Sequence, residues 1–166
     1  YEDFDDTPND NLIRKSYATH HDDYNFGEGK TFGNGKGKAL MGAINYLTDK
    51  GVNAFTVTTL NGDDVVPFVR NNKLQFDISK LAQWGTILDY ASSKGLVVRI
   101  RLQEHDDEFD DNGGLFEERK LYIREMVARF GHNNIVWDLG EGLTVAQVAQ
   151  RSAYLRNLDP YQNTPI

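Results

Sequence analysis

The stretch SKLAQWGTILDYASSKGLVVRIRLQ, residues 79–103, holds a helix pattern and a strand pattern with one glycine between them. Leu81, Trp84, Leu88 and Ala91 recur at helical spacing, so one face of a helix is apolar. Ser79, two residues after Asp77, reads as its N-cap, and Lys94-Gly95 stops it, because glycine takes the left-handed conformation of a C-terminal cap. The strand LVVRIRLQ (96–103) follows at once. Its period of two places Val97, Arg99, Arg101 and Gln103 on one face and Val98, Ile100 and Leu102 on the other.

The same device recurs on both sides. Upstream, Leu40, Ala43, Ile44 and Leu47 mark a helix that ends at Lys50-Gly51. The strand VNAFTVTTL (52–60) and the turn Asn61-Gly62-Asp63-Asp64 come next. Downstream, residues 117–130 form a helix with Tyr122, Ile123, Met126, Val127 and Phe130 facing inward. Acids in its first turn and Arg129 in its last match the helix dipole. Gly131 ends it, and NIVWDLGE (134–141) is the next strand. Thr144 caps a last helix whose inner face is expected to hold Val145, Val148, Ala149, Ser152, Leu155 and Leu158. Asp159-Pro160 closes that helix, and the tail 163–166 could begin another strand.

Strands alternating with helices predict an α/β chain of right-handed, parallel βα units. Strands of an open doubly wound sheet are usually apolar on both faces, whereas here Arg99 and Arg101 share one face, as on the inside of a barrel. A closed eight-stranded barrel takes about 250 residues, so 166 residues predict a partial, half TIM-type barrel. The expected organisation is an acidic, mostly irregular segment at 1–38 and a βα half-barrel domain at 39–166. A guanidinium on a covered sheet face needs a counter-charge, so Asp138, at similar height on the next strand, is expected to pair with Arg99 or Arg101.

Composition narrows the function. The chain has no cysteine, which excludes a disulfide scaffold, a zinc-cysteine centre and thiol catalysis. No run approaches the roughly 18 apolar residues of a membrane span, and the start Tyr1-Glu2-Asp3-Phe4 does not read as a signal peptide. The net charge of −7 is uneven: residues 1–28 hold eight acids against Arg14 and Lys15, and residues 104–118 hold eight acids and no base. The bases of the remaining body form no stripe with interleaved aromatics, so nucleic-acid binding is not expected.

Loops after the strand C-termini share one face in a parallel α/β fold, and ligands bind there. They carry Asn61, Asp63 and Asp64, then Gln103, Glu104, His105, Asp106 and Asp107, then Glu141. Carboxylates around one mouth suit glycoside hydrolysis, which uses two carboxyl groups flanking the scissile bond. An EF-hand beginning at Glu108 fails because Arg119 stands at its twelfth position. The glycines and lysines at 33–38 lack phosphate-loop spacing, and adjacent His20 and His21 would point apart in an extended segment. Neither a metal nor a cofactor is expected.

The segments GKGKALMGAINYLTDKGVNAFTV (35–57), SKLAQW (79–84), RLQE (101–104), ERKLYIREMVARFGHNNIVWDLGE (118–141) and LDPY (158–161) together resemble a bacterial glycoside-hydrolase-like barrel family related to the clan A hydrolases. The resemblance covers about three quarters of the chain and the first half of that family's barrel. It implies a secreted or cell-surface protein that hydrolyses O-glycosyl bonds of a neutral polysaccharide or oligosaccharide with retention. The implied acid/base glutamate ends the fourth strand and the nucleophile ends the seventh. Here the acid/base position reads Gly142, next to Glu141, and the seventh strand is absent. The expectation is therefore a glycoside-hydrolase-like domain that is incomplete or inactive as this chain. Glu141 is its candidate catalytic residue, and Asn61, Asp63, Gln103, Glu104 and His105 are its candidate sugar contacts. The alternative is a non-catalytic structural or carbohydrate-binding module that self-associates through open sheet edges, with Tyr24 and Phe26 available to stack on sugars.

Overall fold

The computed structural model describes residues 38–60, 66–69, 72–103, 109, 114–159 and 164–166. The expectations for residues 1–37 and for the turn at 61–64 fall outside these. In chain order the elements are α1 (Lys38–Asp49), β1 (Ala54–Thr58), β2 (Phe68–Val69), β3 (Asn72–Phe76), α2 (Ile78–Ser93), β4 (Val97–Arg101), α3 (Glu117–Phe130), β5 (Ile135–Asp138) and α4 (Val145–Leu158).

The chain is α/β. β1, β4 and β5 form a parallel sheet in that order, with Thr56 beside Arg99 and Arg101 beside Asp138. β2 and β3 form a small antiparallel hairpin, which the alternation of helix and strand periods does not anticipate. Helices α1 and α2 end by the same device. Val52 N–H donates to the Leu47 carbonyl at 2.9 Å and Leu96 N–H to the Ala91 carbonyl at 3.0 Å, across Gly51 and Gly95 with φ of 75° and 77°. These are six-to-one bonds of the Schellman type, and the left-handed residue inside each favours glycine. The cap of α2 differs from expectation: Asp77, not Ser79, accepts from the Lys80 N–H, so the helix begins at Ile78.

One core lies between the helices and one face of the sheet. It takes Met41 and Ile44 from α1, Leu81, Trp84, Leu88 and Ala91 from α2, and Tyr122, Ile123, Met126 and Phe130 from α3. The strands contribute Val57, Val98, Ile100, Ile135 and Trp137. Among the described residues nothing covers the opposite face of the sheet: Ala54, Thr56, Val97 and Arg99 are exposed. This is the geometry expected when strands are added in chain order through right-handed crossovers, since each helix then returns over the same face.

Helix α4 keeps the C-terminal part of its expected face, with Leu155 buried and Leu158 packed on the core, and departs from it in the first turns. Thr144 caps it in a complete capping box with Gln147, yet Val145 is 89 % exposed and Val148 40 %. The side chains it buries are Arg151 and Leu155, so its inner stripe is turned toward a charged residue that apolar periodicity ignores. Beyond α4, the Trp137 N–H donates to the Pro165 carbonyl at 2.9 Å, so the tail lies along the outer edge of β5.

Candidate functional site

The open face carries its charges at the C-terminal ends of β4 and β5. Arg99 and Arg101, two residues apart, project from the same side of β4, and Asp138 comes from the neighbouring strand in register with Arg101. Asp138 Oδ2 accepts from Arg101 Nε at 3.0 Å and meets Arg99 Nη2 at 2.7 Å, so one carboxylate joins both guanidiniums. Its other oxygen, Oδ1, accepts from the Gly140 N–H at 3.0 Å, which turns the chain out of the strand. Arg101 uses Nη1 to hold Glu141 Oε1 at 2.7 Å.

Partial burial by itself would raise the Asp138 carboxyl. The Gly140 N–H, the hydrogen bond from Arg101 and the charges of Arg99 and Arg101 outweigh it and hold the group below its ordinary value of 3.8. Asp138 is thus fixed as an anion. Glu141 sits on a loop between Gly140 and Gly142, whose φ values of 111° and 72° let the backbone reverse sharply and swing the carboxylate back over β4.

Gln103 has another place than the one expected. It is 1 % exposed, and its Oε1 accepts from Arg151 Nη1 at 2.8 Å and from Arg119 Nη1. Both arginines are 2 % exposed. Arg119 also donates through Nε to the Gly114 carbonyl at 2.8 Å, and Arg151 reaches the Leu139 carbonyl at 3.3 Å. Gln103 is therefore a buried joint between the ends of β4 and β5, the first turn of α3 and the second turn of α4, and not an exposed group at the mouth. Arg119 and Arg151 are the residues that sequence reasoning missed; acidic neighbours and helical spacing gave no sign of their burial.

Next to this joint, Tyr122 donates to the Leu102 carbonyl at 3.0 Å, and its hydroxyl meets that of Thr59, which bonds the Arg101 carbonyl at 3.2 Å. These bonds clamp the ends of β1 and β4 beneath the mouth. The expected sugar contacts Asn61, Asp63, Glu104 and His105 lie outside the described residues. Of the expected site, the structure brings Arg99, Arg101, Asp138 and Glu141 together.

No family model, curated protein or solved structure matches this chain. The geometry must carry the functional argument. Among the described residues no group of three metal-ligating side chains converges, and no helix is long and apolar enough to cross a membrane. A groove of about 500 Å³ opens at the opposite end of the sheet, lined in part by Val97, His132, Asn134, Asp159 and Pro165. It lies at the strand N-termini, away from the end at which parallel α/β folds bind ligands.

Proposed function

We propose that this chain is a glycoside-hydrolase-like half barrel whose strand-end mouth binds a neutral polysaccharide or oligosaccharide without hydrolysing it, in a secreted or cell-surface setting. The observation that carries this reading is the open sheet face, polar at its C-terminal end, with Arg99, Arg101, Asp138 and Glu141 in one bonded cluster. A sugar offers hydroxyls, and fixed carboxylates and guanidiniums in a shallow mouth are acceptors and donors for them. The mixed charge suits a neutral glycan better than a polyanion.

Hydrolysis asks for more. A retaining mechanism needs a proton-donating carboxyl and a second carboxylate about 5–5.5 Å away. Asp138 is held as an anion by two arginines and is not poised to deliver a proton, and the Glu141 carboxylate oxygen Oε1 is engaged by Arg101. Gly142, at the position where the resemblance implies the acid, has no group to offer.

The test is paired binding and turnover on soluble neutral glucans, mannans and galactans. Retarded migration in glycan-containing native gels, with no release of reducing ends, is the expected result. Absence of any binding sinks the carbohydrate reading. Turnover that disappears in Glu141→Gln would make the chain an enzyme after all.

A second reading, a self-associating module, is favoured by the exposed sheet face. The sheet uses only one face to build the core.

A further inference from the structure

Parallel sheets are ordinarily covered on both faces, because their backbone and side chains form the middle layer of a domain. Here Ala54 and Thr56 of β1 and Arg99 of β4 stand exposed on the side away from the helices. The charges on that side decide what can cover it. Arg99 is 52 % exposed and bonded through Nη2 alone; Glu141 is 60 % exposed and bonded through Oε1 alone. Two groups of opposite sign thus keep bonding capacity on one face. A polyanion would meet Glu141 and a polycation would meet Arg99. A surface that bears both signs side by side is complementary to itself.

Their heights fit a two-fold arrangement. Arg99 lies two residues before the Arg101–Asp138 level on β4, and Glu141 lies past that level on the loop that leaves β5. A two-fold axis running across the strands at that level exchanges the two heights, and an isologous contact then makes each pairing twice. Facing sheets pack about 10 Å apart, a gap that an extended arginine and glutamate bridge together. The small side chains of Ala54, Thr56 and Thr58 leave room beside them.

We infer that a second copy of this chain packs face to face on the open side of the sheet, with Arg99 of each copy paired to the partner's Glu141. This deepens the self-association reading; because Arg99 and Glu141 also belong to the mouth proposed for a glycan, the second copy and the glycan compete for that face.

Charge reversal in the full chain tests it. By light scattering across a dilution series, the chain is expected to dimerise, and Arg99→Glu or Glu141→Arg alone to weaken the dimer about tenfold or more. The double variant restores the opposite signs and should restore the dimer. The charge-neutral changes Arg99→Gln and Glu141→Gln guard against misfolding of the reversed variants and should weaken the dimer less. Because the chain has no cysteine, Thr56→Cys supplies a single thiol, which should react with maleimide in the monomer and resist it in the dimer. A monomer at all concentrations overturns the inference, whether the thiol is open or protected by the chain's own residues. So does a dimer indifferent to both reversals, which would place the contact elsewhere. The glycan gels are read separately, so failure of one proposal is distinguishable from failure of the other.

Discussion

A methyl group on Gly140 would stand 2.6 Å from the carbonyl oxygen of Gln103 and 2.7 Å from its Cγ, on a backbone with φ of 111°. Close approach and left-handed backbone both demand glycine here, and the N–H of Gly140 itself is the one that anchors Asp138. Gly140→Ala is expected to cost on the order of 1–3 kcal/mol in urea denaturation. An unchanged midpoint would show that the loop can move off Gln103 freely. Asp138 makes a second prediction at this scale. Its folded-state value is lowered, so its stabilising contribution is complete above the ordinary carboxylate value of 3.8 and is lost as the pH falls below that value through the folded one. Asp138→Asn should therefore be less stable than the parent at neutral pH, with a gap that stays level down to mildly acid solution and closes only in strong acid. A gap that instead widens on acidification would assign the loss to something other than the carboxylate charge.

Helix α4 shows what periodicity can and cannot place. Its start at Thr144 was legible, because a capping side chain followed three residues later by Gln147 is a local signal with a local mechanism. Its rotation was not. Val145, Val148, Ala149, Ser152, Leu155 and Leu158 imply one inner face; Leu155 is buried as that face requires, but burial of Arg151 through its bond to Gln103 shifts the stripe away from Val145 and Val148, and that partner lies 48 residues away. The glycine-ended helices were readable for the same reason as the cap, since each rests on contacts within a few residues; the strands were readable from local alternation, and their parallel order from the helices between them. The β2–β3 hairpin was not, since its first strand is only two residues long and carries too little alternation to register. Stability should follow the observed rotation. Leu155→Ala is expected to cost about 2–5 kcal/mol as a fully buried aliphatic truncation, and Thr144→Ala about 1 kcal/mol for the lost cap. Val145→Ala should stay within about 0.5 kcal/mol. Equal effects at Val145 and Leu155 in thermal or urea unfolding would restore the face that the apolar pattern suggests.

Across the whole molecule, charge is distributed differently from what composition suggests. The pairing of Asp138 with β4 could be anticipated, since two arginines on one strand face need an anion and the next strand offers one. Gln103, two residues after Arg101 on the same alternation, looked equally available to a ligand. Its actual surroundings depend on Arg119 and Arg151, 16 and 48 residues downstream, and no local pattern brings those three together. The result is a polar joint inside the fold that ties β4, α3, α4 and the loop carrying Glu141, so the position of the mouth depends on it. Removing the joint's acceptor should then be costly: Gln103→Leu takes a hydrogen-bond partner from two buried guanidiniums, each bond to a charged group being worth about 1.5–3 kcal/mol. Arg151→Met removes one of those charges together with its bond to the Leu139 carbonyl. If the two residues act as one unit, the double variant should be less destabilised than the sum of the single ones by about 1–3 kcal/mol, because the second change removes a group whose partner has already gone. Additive costs in a double-mutant cycle would mean that Gln103 and Arg151 stabilise the fold separately, and that the mouth is held by the strands alone.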